Sequence, residues 1–198
     1  MNQITRDAMD YIRTLYAGNA DRHGYEHSLR VWRNAMAIAG DEAGCDQEIV
    51  SLAALLHDAD DNKLFSTKNN ANARRFLEAH RIPTETTDRI CAVINAVSFR
   101  RNRGKRLDTQ EGWTVQDADR LDAIGAVGIA RTFAYGGKHG RPPEESIAHF
   151  HEKLLLKDVM NTEKAKVIAE ERHAFMEAFV REWDAEIGAL EQTDTGDR

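Results

Sequence analysis

The stretch Leu52-Ala53-Ala54-Leu55-Leu56-His57-Asp58-Ala59-Asp60-Asp61 constrains the fold of this chain most. An apolar helical run ends in a histidine beside an aspartate, with two more carboxylates just behind. A helix that only has to pack needs no such ending. Imidazole and carboxylate are the ligand types that hold a divalent cation. A chain built around His57-Asp58 must bring further ligands from elsewhere in its sequence.

The hydrophobic periodicity around this stretch is helical almost throughout. Ile4 to Tyr16 carries Ile4, Ala8, Tyr11/Ile12 and Leu15 at helical spacing. Tyr25 to Ala43 carries Val31, Ala35, Ile38 and Ala39, and Gly44 closes it. Asp46 is placed to cap a helix from Gln47 to about Ala59. Ser66 to His80 reads as a polar helix with Phe76 and Leu77 facing inward. Pro83 suits the first turn of the next, which carries Ile90, Val93/Ile94 and Val97. Ser98 to Gly112 is basic and aperiodic, with room for a short hairpin.

Thr114 to Ala134 reads as one helix. It contains Gly125 and Gly128, whose cost in helix propensity suggests close packing. Tyr135 to Pro143 is a Gly/Pro loop and Glu144 to Leu156 a short helix. Asn161 is expected to cap the last and longest helix, which runs to about Leu190. Ile168, Phe175/Met176, Phe179, Trp183 and Ile187 form its buried face. The expectation is an all-α fold: a single helical domain over residues 1–190 with a long C-terminal helix, then a polar, fraying tail over 191–198.

The bulk properties agree with one soluble domain. The chain has 198 residues, enough to bury a core without covalent staples. Its two cysteines, Cys45 and Cys91, lack metal-ligand spacing, which argues against a disulfide framework and for a reducing cytoplasm. Met1 to Arg13 lacks the apolar run of a signal peptide, and no segment is apolar for long enough to span a bilayer. A net charge of −6 argues against wholesale binding of nucleic acid or an anionic membrane.

Partners for His57-Asp58 are present. His27 starts an amphipathic helix in Gly24-Tyr25-Glu26-His27-Ser28. Asp119 and Asp122 share one face of an otherwise apolar helix. Buried carboxylates are costly unless paired or bound to metal. Each residue also has a plain reading. His57 suits the dipole at a helix C-terminus, and Asp119 suits an ion pair with Arg120 or Arg131. Asp117 and Asp122 read as structural, an N-terminal charge and a hydrogen-bond acceptor behind the ligands. Asp60 reads as exposed. His23, four residues before His27, reads as exposed or hydrogen-bonded near the site, with a place in the site as the alternative, and His139, His149, His151 and His173 read as surface or packing residues.

The pattern H…HD…D resembles the HD-domain superfamily of metal-dependent phosphohydrolases. The segments GYEHSLRVW, ALLHDADDNK, VQDADRLDAIGAVGIARTF and EKLLLKDVMNT…A…RHAFM are similar to a small bacterial subfamily that includes nucleotide pyrophosphohydrolases. The likeness runs from about Ile4 to Ile187. It implies an all-α HD-domain bundle with His27, His57, Asp58 and Asp119 as ligands of one divalent metal ion (Mn2+, Mg2+ or another transition metal). Similar proteins often carry a further histidine near Val97. Its absence here favours one metal over two.

The resemblance further implies a metal-activated water attacking phosphorus, with Asp61 as general acid/base and Lys63 beside it as a catalytic candidate. Arg30, Arg101, Arg103 and Arg131 are candidate substrate-phosphate ligands, as are Lys138, Arg100, Lys105 and Arg106. The expected substrate is a small phosphorylated metabolite, above all a nucleotide. Subfamily similarity suggests cleavage of a triphosphate to monophosphate and pyrophosphate. Phosphomonoester or cyclic-phosphodiester hydrolysis stays open, as does a non-catalytic metal- or nucleotide-sensing module. A nucleic-acid role for the 100–106 patch is disfavoured, since only Phe99 accompanies it as an aromatic. A homodimer is compatible with the sequence, though no feature establishes it.

Overall fold

The computed structural model describes residues 1–17, 24–97, 108–154 and 159–194, with side chains omitted for 151–154 and 188–194. Among the described residues there are nine helices and no strand. They are α1 (Gln3–Leu15), α2 (Tyr25–Ala39), α3 (Gln47–Leu56), α4 (Ala71–Ala79), α5 (Thr84–Val97), α6 (Gln110–Asp122), α7 (Gly125–Lys138), α8 (Pro143–Leu154) and α9 (Glu163–Asp194). None of them is long and apolar enough to cross a membrane. Cys45 and Cys91 are both free thiols.

Helix α3 is the centre. Every residue from Ile49 to Leu56 is buried. A helix that is apolar all round has to be covered all round. Here α1, α2, α5 and α6 do the covering, and α2 packs along α6 as well. Asp46 caps α3 by accepting from the Glu48 and Ile49 amides. The helix stops at Leu56, three residues short of the sequence expectation. His57 caps it, and its Nδ1 donates to the Ala54 carbonyl at 2.9 Å. Residues 57–61 continue as tight turns.

Several boundaries differ from the periodicity reading, each for a local reason. Helix α4 starts at Ala71 rather than Ser66, because Asn69 and Asn70 adopt left-handed backbone. Asp60, expected to be exposed, accepts from the Asn72 and Ala73 amides and so satisfies the start of α4. Helix α2 ends at Ala39, before Gly44. Residues 110–112 open α6, so no hairpin forms there, while residues 98–107 lie outside the described residues.

The stretch Thr114 to Ala134 is two helices, α6 and α7. Gly125 has φ of +73°, which breaks the helix. A Cβ on Gly128 would fall 2.3 Å from the Ala123 carbonyl oxygen, so the new helix turns back tightly on the old. Helix α7 then runs through Tyr135 to Lys138, longer than expected.

The start of α9 is capped by Thr162, not Asn161: the Thr162 hydroxyl accepts from the Ala165 amide. Asn161 and Thr162 donate instead to Asp117, a fully buried carboxylate on α6. Asp117 is therefore the cap for another helix's first turn rather than an N-terminal charge of its own. Arg120 pairs with it at 3.5 Å and also donates to the Val159 carbonyl. Along α9, Ala165, Ala169, Met176 and Val180 are buried, and Ile168, Phe179 and Trp183 pack partly against the core. Phe175, expected inside, is 53% exposed.

Asp117→Ala should be severely destabilising. It removes the acceptor of the Asn161 and Thr162 amides and the carboxylate beside the buried Arg120, a loss of about 3–5 kcal/mol. Urea denaturation followed by circular dichroism measures it.

Candidate metal centre

Four side chains named from the sequence converge. His27 lies in the first turn of α2, His57 caps α3, Asp58 follows it, and Asp119 sits on α6. The Nε2 atoms of His27 and His57 are 3.2 Å apart. The Asp58 carboxylate is 3.5 Å from His27 Nε2 and 3.3 Å from His57 Nε2. The Asp119 carboxylate is 3.4 and 4.0 Å from the same two atoms. The histidine side chains are only 5% and 3% exposed, against 17% for Asp58 and 27% for Asp119. The imidazoles thus form a dry floor and the carboxylates the side nearer solvent.

The chemistry of this donor set fits a divalent cation. His57 Nδ1 faces a carbonyl, which can only accept, so it carries the proton and Nε2 carries a lone pair. His27 Nδ1 faces Asp122 Oδ2 at 2.7 Å, with the same result. The 3.4 Å approach of Arg131 to that Nδ1 is then a contact, not a hydrogen bond. Two lone pairs at 3.2 Å repel, and two carboxylates add to the negative charge. Without a cation the cluster attracts a proton: burial pulls the His57 pKa down, but Asp58, Asp119 and the Ala54 carbonyl outweigh it and hold it at about 9. Among the described residues, His27, His57 and Asp119 form the one group of three or more metal-type donors within 4.8 Å of one another. Asp58 Oδ2 adds to them. Val97 is core. His80 binds the Phe76 carbonyl and Asp7.

Behind the floor lies Asp122, the last residue of α6 and 2% exposed. A carboxylate is disfavoured at a helix C-terminus, and here three side chains answer it. His27 donates Nδ1–H to it. Arg30, one turn further along α2, donates from Nε and Nη2 at 2.6 and 3.1 Å. Arg131 of α7 donates to Oδ2 and, at 3.2 Å, to the Asp122 carbonyl. Burial alone would raise the Asp122 pKa, but these neighbours hold it down at about 2.

The other sequence candidates are less tightly gathered. Helix α3 does not continue to Asp61, so no helical face joins it to Asp58. A turn joins them instead, with the Asp61 amide donating to the Asp58 carbonyl at 3.0 Å, and Asp61 Oδ1 accepts from the Lys63 amide at 3.0 Å. Lys63 is exposed. Arg101 and Arg103, with Arg100, Lys105, Arg106 and His23, lie outside the described residues. Lys138 is near the exposed end of α7. Arg120, read from the sequence only as a partner for Asp119, is buried beside Asp117, and one arginine escaped the sequence reading. Arg172 of α9 donates to the Leu121 carbonyl at 2.5 Å and to Asn34 at 2.9 Å, and its stem packs where a Cβ of Gly125 would be. The sequence signal for Arg172 was the glycine it packs on.

Residues 24–124, which hold all four metal-type donors, match the HD domain family. The chain belongs to the HD-domain family. The Bacillus subtilis protein YpgQ is 39% identical to this HD protein over 191 residues, spanning 91% of this chain and 92% of YpgQ. A crystal structure of YpgQ in complex with ADP superposes with a TM-score of 0.78, covering 92% of this chain and 97% of that one at 36% identity. An HD-superfamily hydrolase of Bacillus thuringiensis gives the same TM-score of 0.78 at 36% identity, covering 93% and 97%. The fold is that of HD-superfamily hydrolases.

Two outcomes follow from the geometry. His57→Ala and Asp119→Ala should each abolish stoichiometric metal, measured by elemental analysis of purified protein. Asp122 has a folded pKa below its ordinary 3.8, so its contribution to stability is complete above pH 3.8 and is lost as pH falls through about 2. Denaturation midpoints collected between pH 5 and 2 should fall less steeply in Asp122→Asn.

Proposed function

We propose that the protein is a metal-dependent phosphohydrolase whose substrate is a small phosphorylated metabolite, a nucleotide. The observation that carries this is the cluster of two imidazoles and two carboxylates with a guanidinium pair directly behind it. His27, His57, Asp58 and Asp119 would hold one divalent cation, of the manganese or magnesium kind, since mixed nitrogen and oxygen donors suit both. Such a cation supplies Lewis-acid charge to a phosphoryl oxygen and acidifies water.

The protein's own residues supply the rest. A dication balances Asp58 and Asp119. Arg30 and Arg131 share the Asp122 carboxylate and are 30% and 31% exposed, which makes them the candidates for phosphate oxygens. Asp61 is the candidate to hold or deliver the proton, since one of its oxygens already accepts from the Lys63 amide and the carboxylate is only half-buried. Lys63, with Arg101 and Arg103, is a further candidate for phosphate contact. The buried histidine floor limits water on one side, which strengthens every charge interaction at the cluster. The ADP complex of YpgQ supports a nucleotide over other phosphorylated molecules. Triphosphate cleavage to monophosphate and pyrophosphate is the leading reaction, with phosphomonoester and cyclic-phosphodiester hydrolysis as alternatives.

A panel of nucleoside triphosphates, monophosphates and cyclic nucleotides with manganese tests the reading. Chromatography of the products gives the bond cleaved. Absence of any hydrolysis from protein that demonstrably carries metal would refute the enzyme and leave a sensory module. Asp61→Ala should retain metal and lose at least about a hundredfold in kcat. Full activity in that variant would remove Asp61 from the chemistry.

A further inference from the structure

Asp122 touches three side chains from two neighbouring helices, His27 of the donor cluster and the arginine pair Arg30 and Arg131. We propose that it is a positioning residue serving both. Its carboxylate sets the tautomer and ring orientation of His27 for the cation, and it holds Arg30 and Arg131 together as a clamp for a substrate phosphate. The phosphate half rests on the phosphohydrolase reading, and the metal half does not.

The contact pattern argues against a purely structural ion pair. His27 Nδ1 lies 2.7 Å from Asp122 Oδ2, which leaves the Nε2 lone pair aimed at the cluster. A carboxylate behind a ligating histidine orients the ring and makes it a better donor. Arg30 grips the same carboxylate with two nitrogens, at 2.6 and 3.1 Å, and Arg131 grips it from the opposite helix. Two guanidiniums this close repel each other unless an anion lies between them. Asp122 is 2% exposed, whereas the arginine side chains are 30% and 31% exposed, so both reach from a buried anchor toward solvent. Both guanidiniums share one buried carboxylate beside the donor cluster while keeping a solvent-facing edge. Position 122 is also the C-terminus of α6, where the helix dipole opposes a carboxylate.

The full chain in three forms tests this: wild type, Asp122→Asn and Asp122→Ala. Asparagine keeps an oxygen that can accept from His27 but offers no charge to the arginines. Alanine removes both functions. Circular dichroism first establishes that each variant is folded. Calorimetric titration then gives the affinity for Mn2+ alone and, separately, for inorganic pyrophosphate, and 15N NMR of the metal-free protein reports the His27 tautomer. Asp122→Ala should weaken Mn2+ binding roughly ten- to a hundredfold and lose the protonated-Nδ1 signature of His27. Asp122→Asn should keep Mn2+ affinity within about threefold while weakening pyrophosphate about tenfold or more, the size of a lost charged contact.

Unchanged Mn2+ affinity together with an unchanged His27 tautomer in Asp122→Ala overturns the metal half. Unchanged or tighter pyrophosphate binding in Asp122→Asn overturns the phosphate half, because Asp122 would then restrain the arginines rather than aim them. Wild-type protein that binds Mn2+ but no pyrophosphate overturns the phosphate half along with the phosphohydrolase reading, and the metal half still stands on its own measurements. If Asp122→Ala does not fold, the isosteric Asp122→Asn carries the metal half, with an upfield shift of the His27 Nδ1 proton as the supporting result and no shift as the overturning one.

Discussion

Helix α3 has no face that water can reach, and the rest of the fold follows from covering it. Eight consecutive buried residues, Ile49 to Leu56, need helices on all sides. Helices α1, α2, α5 and α6 provide them. The same packing brings the start of α2 and the last turn of α6 to the end of α3. His57 and Asp58, the first polar residues after the buried run, therefore emerge against His27 on one side and Asp119 on the other. The site is a consequence of where the core helix stops.

Charge is the second constraint. The bundle holds several charged side chains close to its core, and most are answered by groups from other segments of the chain. Asp117 on α6 receives the first turn of α9, and Arg120 lies beside it. Asp122, five residues on, receives His27 and Arg30 from α2 and Arg131 from α7. Arg172 reaches from α9 to the Leu121 carbonyl, beside Asp122. Helix α6 is thus a spine: one end of its polar residues anchors the C-terminal helix and the other anchors the donor cluster. The Gly125 break lets α7 double back so that Arg131 meets Asp122.

Much of this was legible before any coordinates. The helical periods, the His57-Asp58 pair and the spaced His27 and Asp119 are local or pattern-level features; His27 and Asp119 lie on their expected helices, and His57-Asp58 lie in the turn just past theirs. What local pattern could not supply was direction. Asp60 and Asp61 are neighbours of the same type in sequence, yet Asp60 turns to the start of α4 while Asp61 bonds the Lys63 amide. Asn161 looked like a cap, but the hydroxyl that caps is on Thr162 and Asn161 bonds across to Asp117. Phe175 has the spacing expected of the core, yet it is exposed while its neighbour Met176 is the residue that turns inward.

By itself the sequence determined the all-α class and most of the helix-forming segments, and it named the four side chains that the fold gathers at the end of α3. Composition, periodicity and residue type are properties of the chain, and they needed no partner to be read. The tertiary structure alone decided which carboxylate bears on which histidine and that Arg30 and Arg131 share one anion. It also decided that Thr114 to Ala134 is two helices with a reversal between them. Those outcomes depend on contacts between residues up to about a hundred positions apart, such as His27 with Asp122, which are 95 apart in sequence. Only the packing around α3 brings such residues within hydrogen-bonding reach.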